Sequence, residues 1–423
     1  MRSVTRFALL ASLIAQTLAP TAMAQADRWA GDGGLPAFYQ WNKAVPERPG
    51  TMLRTEVVSD AAALPAAGRT ERILYSSTHW RDAARATTVS GIVYFPKGKP
   101  PRGGWPVIAW AHGTTGIADV CAPSFMARSP RDTAFFGHWL DAGYAIVATD
   151  YEGLGSPGVH PYLNYRSEGI AVLDAIRAAT RHYRQLSSSR IMTMGQSQGS
   201  EGAIAAAYLA PTYAPDVRIR GTVATGLVAR TANTGGAHQV AVPNLYVDAA
   251  DYGNSAYEIL WFLGTAHALD PAAIRPEDYI SDAGRAMLEK AQTTCMGGLR
   301  SYAKDIEMTV ARLYKRSIDD LEVRAAAETA FPDVHVPTPV FIGTGLADAD
   351  AQPAKQYNFA SAMCAAGTRV QLRYYAQATH GSAVERSLAD APAFAAAVMA
   401  GRAITDDCAT LAPPPLSQEA AHP

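Results

Sequence analysis

Two short runs constrain the fold of this chain more than anything else in it: "WPVIAWAHG" at 105–113 and "YAIVATD" at 144–150. Each is almost continuously apolar and then stops at turn residues. A strand with one wet face alternates apolar and polar residues, whereas a strand covered on both faces does not. These runs therefore predict parallel strands inside a sheet clothed by helices on both sides. Upstream, "RILYSSTHW" (72–80) and "VSGIVYFP" (89–96) predict an antiparallel opening pair. Downstream, helical stretches at 165–184 and 200–210 interleave with strands "RIMTMG" (190–195), "GTVATGLV" (221–228), "TPVFIGTG" (338–345) and "RVQLRYY" (369–375). Strand and helix in alternation give an α/β class, a doubly wound, mostly parallel sheet.

One interval breaks the rhythm. Residues 229–337 contain no convincing parallel strand, and "AMLEKAQTT", "SYAKDIEMTVARLYKR" and "DLEVRAAAETA" within them have helical character. A structureless loop of that length is improbable, so the interval predicts an inserted, mainly helical cap. The expected organisation is a core of 25–228 and 338–423, the cap at 229–337, and a leader at 1–24.

The leader reading rests on residue order. Arg2 and Arg6 precede an apolar run from Phe7 to Leu18, too short for a comfortable membrane span. Ala22-Met23-Ala24 then supplies the small-residue pattern of a signal-peptide cleavage site. The expectation is cleavage after Ala24, a secreted or periplasmic protein, and no integral membrane segment afterwards. In an oxidising compartment four cysteines make two disulfides with three possible pairings. Cys121–Cys295 with Cys364–Cys408 is the pairing expected here; the second bridge would tie the last helical region to the tail. The cysteines lack metal-ligand spacing and the chain has no H-E-x-x-H, which argues against zinc. A net charge of −1 gives no electrostatic case for a nucleic-acid partner.

The chemistry is carried by "MGQSQGSEGAIAAAYLA". Gly195-Gln196-Ser197-Gln198-Gly199 is a G-x-S-x-G pattern, which chance supplies in roughly one such chain in seven. Context decides. Ser197 follows a predicted buried strand and precedes a small-residue helix, the strand–turn–helix setting of a nucleophile elbow. On that architecture an acid and then a histidine follow in order. His380, directly after the last strand, satisfies the order; His422 lies in the proline-rich tail. Asp348 stands beyond the penultimate strand, with Asp350 as its alternative. An oxyanion hole is expected from the backbone N–H groups of Thr114, in "HGTTG" at the end of the third strand, and Gln198. His112 precedes the serine and reads as a structural residue of that loop. Asp150 reads as the anchor of the loop after its strand.

The elbow, "HGTTG", the lead "FYQWNKAVPERPGTMLRTEVV" and above all "DYEGLGSPGVHPYL" (150–163) resemble the secretory lipases, the group that includes Candida lipase A. The likeness runs over roughly 36–405. It implies an α/β-hydrolase fold with a helical cap between nucleophile and acid, acting on carboxylic esters. Carried over by position, it implies Ser197, Asp348 and His380 as the triad and Thr114 with Gln198 as the oxyanion hole. Tyr151, Trp261 and Phe262 are candidates for substrate contact, with scaffold and packing as the competing roles. This chemistry needs no metal or organic cofactor. The partner expected is a small-molecule or lipid ester, with transient contact at a lipid interface. A short-chain esterase or amidase, an exported peptidase, or a catalytically silent binding protein on the same scaffold are the rival readings.

Overall fold

The structure is a computed structural model and describes residues 27–242 and 252–415. The leader, with its Ala22-Met23-Ala24 site, and His422 lie outside the described residues. Nine strands form one sheet: β1 (Met52–Val57), β2 (Arg69–Thr78), β3 (Ala86–Phe95), β4 (Trp105–Ala111), β5 (Ala145–Thr149), β6 (Leu186–Gln196), β7 (Ile219–Thr225), β8 (Val340–Gly345) and β9 (Val370–Tyr375). Their order is β1-β2-β3-β5-β4-β6-β7-β8-β9. The pairs β1–β2, β2–β3 and β3–β5 are antiparallel, and every pair from β5–β4 to β8–β9 is parallel.

The continuous apolar runs have the predicted cause. In β4, Val107, Ala109 and Ala111 join one core while Ile108 and Trp110 join the other. In β5, Ala145 and Val147 face one way and Ile146 and Ala148 the other. Both faces are covered, so polar residues have no place on either. The first core includes α2 (Tyr165–His182) and α3 (Gln198–Tyr213) together with α10 (Pro353–Ala365); the second includes α1 (Pro130–Asp141) and α11 (Ala391–Met399). Helix starts are chemically marked. Asn164 Oδ1 accepts from the Arg166 and Ser167 N–H groups at the head of α2, a cap worth about 1 kcal/mol. Ser129 caps α1, with Pro130 at the first helical position.

β1 was not anticipated. It lies at the edge of the sheet, and its "MLRTEV" is half-buried to exposed, so it carries none of the apolar signal that marks a central strand.

Between β7 and β8 the described residues form helices: α4 (Tyr252–Trp261), a π-helical stretch Phe262–His267, then α5 (Pro276–Tyr279), α6 (Arg285–Ala291), α7 (Met296–Asp305), α8 (Val310–Leu313) and α9 (Asp319–Thr329). They have a core of their own around Ile259, Phe262, Leu263, Met287, Leu299 and Leu313, into which Trp29, Trp80 and Tyr162 reach from outside. The bridges are Cys121–Cys295 and Cys364–Cys408. The first joins the segment after β4 to the residue preceding α7. Beside it the Met296 N–H donates to the Thr115 carbonyl at 2.7 Å.

Candidate active site

The turn between β6 and α3 is as tight as a backbone can make it. A methyl at Gly199 would lie 1.9 Å from the Ala111 carbonyl oxygen, and one at Gly195 would lie 1.9 Å from that of Gly199. No side chain fits either position, so both glycines are dictated by contact. Ser197 between them has φ 57° and ψ −127°, a conformation that costs a non-glycine residue of order 1–3 kcal/mol and is held only where the surroundings impose it. It occupies the N-cap position of α3, where a serine ordinarily caps, yet its side chain makes no cap bond. Its backbone is secured instead: its N–H donates to Thr225 O at 3.0 Å and its carbonyl accepts from Ser200 N and Oγ. The fixed backbone holds out a hydroxyl that has no structural duty at the helix head.

His380 follows β9, and its Nδ1 lies 2.9 Å from Asp348 Oδ2. Asp348 follows β8 and is buried, while Asp350 is half-exposed. Each Asp348 oxygen has a donor besides the imidazole: Ala351 N–H reaches Oδ1 at 2.7 Å and Gln356 Nε2 reaches Oδ2 at 3.1 Å. Gln356 is itself buried and fixed, its Oε1 accepting from Leu227 N–H and Thr344 Oγ1. With Nδ1 committed to the carboxylate, the neutral imidazole carries its acceptor on Nε2. That atom is buried and has no hydrogen-bond partner among the described residues. Gln196, the residue before Ser197, donates from Nε2 to the His380 carbonyl at 3.3 Å. A methyl at Gly226, past the end of β7, would lie 2.9 Å from the His380 ring. Serine, imidazole and carboxylate thus gather at the carboxyl ends of parallel strands, the edge where such sheets bind ligands.

The loop after β4 closes the other side. A methyl at Gly113 would lie 3.4 Å from Ser197 Cβ, so "HGTTG" starts against the serine. Thr114 Oγ1 is 2.8 Å from Tyr162 OH, which fixes the residue whose N–H was read as a donor. The Gln198 N–H belongs to the first turn of α3, where amides lack intrahelical acceptors. His112 is buried, its Nδ1 2.7 Å from Gly113 O and its Nε2 3.2 Å from Asp150 O; burial pulls its pKa down to about 4. It is a neutral strut. Asp150 is buried and accepts from Ser90 Oγ at 2.6 Å, Ser124 N–H at 2.8 Å and Ser124 Oγ.

Two of the three residues read as substrate contacts are corrected here. Tyr151 is fully enclosed and its hydroxyl donates to the His112 carbonyl at 3.0 Å, so it props the loop from behind. Phe262 is fully enclosed against Tyr279 and Tyr314 within the helical region. Trp261 differs. It lines a small cavity of about 10 Å³ with Leu163, Glu201, Val228, Arg230, Thr265 and Thr329, apart from Ser197, Asp348 and His380.

Sequence reasoning missed Gln356, Gln196 and Tyr162. Gln196 and Tyr162 sit inside the two quoted motifs but bond across 184 and 48 residues of chain, and Gln356, eight residues from Asp348, belongs to no motif.

Comparisons with known proteins agree with this architecture. The chain is similar to lipase A of Moesziomyces aphidis, 27% identical over 242 residues, covering 52% of this chain and 49% of that protein. It is also similar to a secreted triacylglycerol lipase of Malassezia globosa, 25% identical over 307 residues, covering 67% and 58%. The chain thus spans about half the length of the curated relatives it matches. Among solved structures, Candida antarctica lipase A in its closed state superposes with a TM-score of 0.67 at 20% identity, over 90% of this chain and 91% of that one. A rice cell wall degrading esterase from Xanthomonas oryzae superposes at 0.60 with 18% identity, over 83% and 97%. At such identities the likeness speaks to the fold alone, which is that of the α/β-hydrolases. The family model for secretory lipases matches residues 128–402, a span that holds the serine, the aspartate and the histidine described above, and the chain belongs to the secretory lipase family.

Proposed function

We propose that this protein is an exported serine hydrolase of carboxylic esters. The observation that carries the reading is the strained, uncapped Ser197 at the head of α3, gathered at one sheet edge with the 2.9 Å His380–Asp348 pair. Ser197 Oγ attacks the ester carbonyl carbon while His380 Nε2 takes its proton. Asp348 holds the Nδ1–H tautomer and offsets the charge that develops on the ring. The Thr114 and Gln198 N–H groups bind the oxyanion. His380 then gives the proton to the departing alcohol, and water attacks the acyl-enzyme by the reverse sequence.

Residues 229–337 act as a cap over this edge, a role supported by their separate core and by the bridge to Cys121. Family membership, two disulfides and the N-terminal pattern support export with cleavage after Ala24. Lipid esters are the first substrate class to try, with lipid-interface contact under the cap.

Hydrolysis of p-nitrophenyl esters of graded chain length, wild type beside Ser197→Ala, tests the reading. Activity on esters that vanishes in the variant is the expected result. Undiminished turnover by Ser197→Ala overturns the assignment. The position of the maximum along the series separates lipase from short-chain esterase.

A further inference from the structure

Two carboxyl oxygens are left over behind the site. Glu168 Oε2 on α2 and Glu201 Oε2 on α3 are buried and have no hydrogen-bond partner among the described residues. Both side chains are enclosed, at 0% and 2% exposure, and a buried carboxyl oxygen left without a donor is costly. The two helices pack closely here: a methyl at Gly202 would lie 3.2 Å from Glu168 Cβ and 3.3 Å from its Oε2. The Glu168 carboxyl therefore lies over the residue next to Glu201. A proton held by one and accepted by the other satisfies both orphaned oxygens at once. Burial, with the like charge of the neighbour adding to it on Glu168, pushes both groups up, Glu201 to about 8.

The remaining oxygen of Glu168 leads to the active site. Glu168 Oε1 accepts from Gln198 Nε2 at 2.9 Å, and the same nitrogen lies 3.0 Å from His160 Nε2. His160 Nδ1 is 2.9 Å from the Glu152 carbonyl, and burial lowers its pKa to about 3, so the ring is neutral and accepts through Nε2. Both amide hydrogens of Gln198 are thereby aimed at enclosed groups. Gln198 directly follows Ser197 and supplies one of the proposed oxyanion N–H donors.

We propose that Glu168 and Glu201 form a proton-sharing acid pair that positions Gln198, and through it the N–H beside Ser197. The proposal rests on the reading of Ser197 as the nucleophile. The pair touches no reacting atom; both are positioning residues. The other titratable or charged groups facing it are the Tyr151 and Tyr162 hydroxyls, neutral His160 through Gln198, and Arg230 from the segment after β7. Arg230 lines the same small cavity as Glu201 and favours its charged form, but one cation cannot offset two carboxylates. As pH rises through the elevated range of the pair, the shared proton leaves, two charges face each other between α2 and α3, and Gln198 loses its fixed aim. Activity then falls through a reversible alkaline limb that belongs to the pair.

The test measures kcat and KM for p-nitrophenyl butyrate from mildly acidic to strongly alkaline pH in the full chain. The proteins are the wild type, Glu168→Leu, Glu168→Gln and Glu201→Gln, with fluorophosphonate labelling of Ser197 alongside. We expect Glu168→Leu to lower kcat about tenfold or more at neutral pH with KM within about twofold, since a misaimed donor acts on the transition state. Glu168→Gln, whose Oε1 still accepts from Gln198, restores most of that loss. Glu201→Gln removes the like charge that raises Glu168 and moves the alkaline limb down by about one pH unit or more. A Glu201→Gln limb superimposable on that of the wild type overturns the pair, and this comparison decides the matter even where Glu168→Leu does not fold. Glu168→Gln as impaired as Glu168→Leu also overturns it. Wild-type Ser197 that takes no label sinks the nucleophile reading and the pair with it, whereas labelled Ser197 with unshifted limbs removes the pair alone.

Discussion

The strand-end edge and the helical region between β7 and β8 are held by different physics. At the edge, positions are fixed by single contacts that admit one residue type: glycine at 195 and 199, where a methyl would meet a carbonyl at 1.9 Å, and a carboxylate at 348, where two donors and an imidazole converge. In the helical region, residues are fixed by apolar contact, which many side chains of similar volume satisfy. The difference teaches where to expect tolerance. Edge residues should answer to substitution in rate and helical-region residues in stability or substrate range.

The sharpest way to break that contrast is at the edge. Ser197→Ala should cost about 10⁵-fold or more in kcat with little change in melting temperature. Asp348→Asn should cost about 10⁴-fold by letting the imidazole adopt the wrong tautomer, while Asp350→Asn stays within about twofold of wild type. Equal losses at the two aspartates in ester hydrolysis would contradict the assignment. Phe262→Ala should cost about 3–5 kcal/mol of stability on cavity creation in the helical core. If denaturation shows that cost together with an unchanged chain-length profile, the contrast holds; an altered profile with unchanged stability breaks it. Cys295→Ser should cost about 2–4 kcal/mol, read as a lowered melting temperature, and the difference between variant and wild type should nearly vanish when both are measured under reductant. Smallest of all, Trp261→Ala should raise kcat/KM for longer esters about tenfold relative to short ones, since Trp261 lines the cavity and Phe262 does not.

Legibility in the sequence follows the same division. The central strands announced themselves because both faces are buried, and β4 shows how: odd positions feed one core, even positions the other. The elbow was legible because steric necessity leaves a glycine spacing behind, and the order of residues along the chain pointed to His380 and Asp348. Edge strand β1 left no such trace, since its residues are half-buried to exposed. The placement of Tyr151 and Phe262 was not legible either. An aromatic next to a site reads the same whether it faces a substrate or a core, and only packing decides. The Glu168–Glu201 arrangement is further still from the sequence, because it depends on two helices meeting side by side and on two carboxyl oxygens left without partners among the described residues.

The disulfide connectivity has a consequence for biosynthesis. The first cysteine of the described chain joins the second and the third joins the fourth. Cys121 must wait while 174 residues follow it, roughly ten to thirty seconds at ordinary rates of chain elongation. When Cys295 emerges it is the next thiol available, and Cys364 and Cys408 are left for each other. A polypeptide oxidised in the order in which it is made therefore reaches its native crosslinks without reshuffling. A chain released whole and reduced must choose among three pairings.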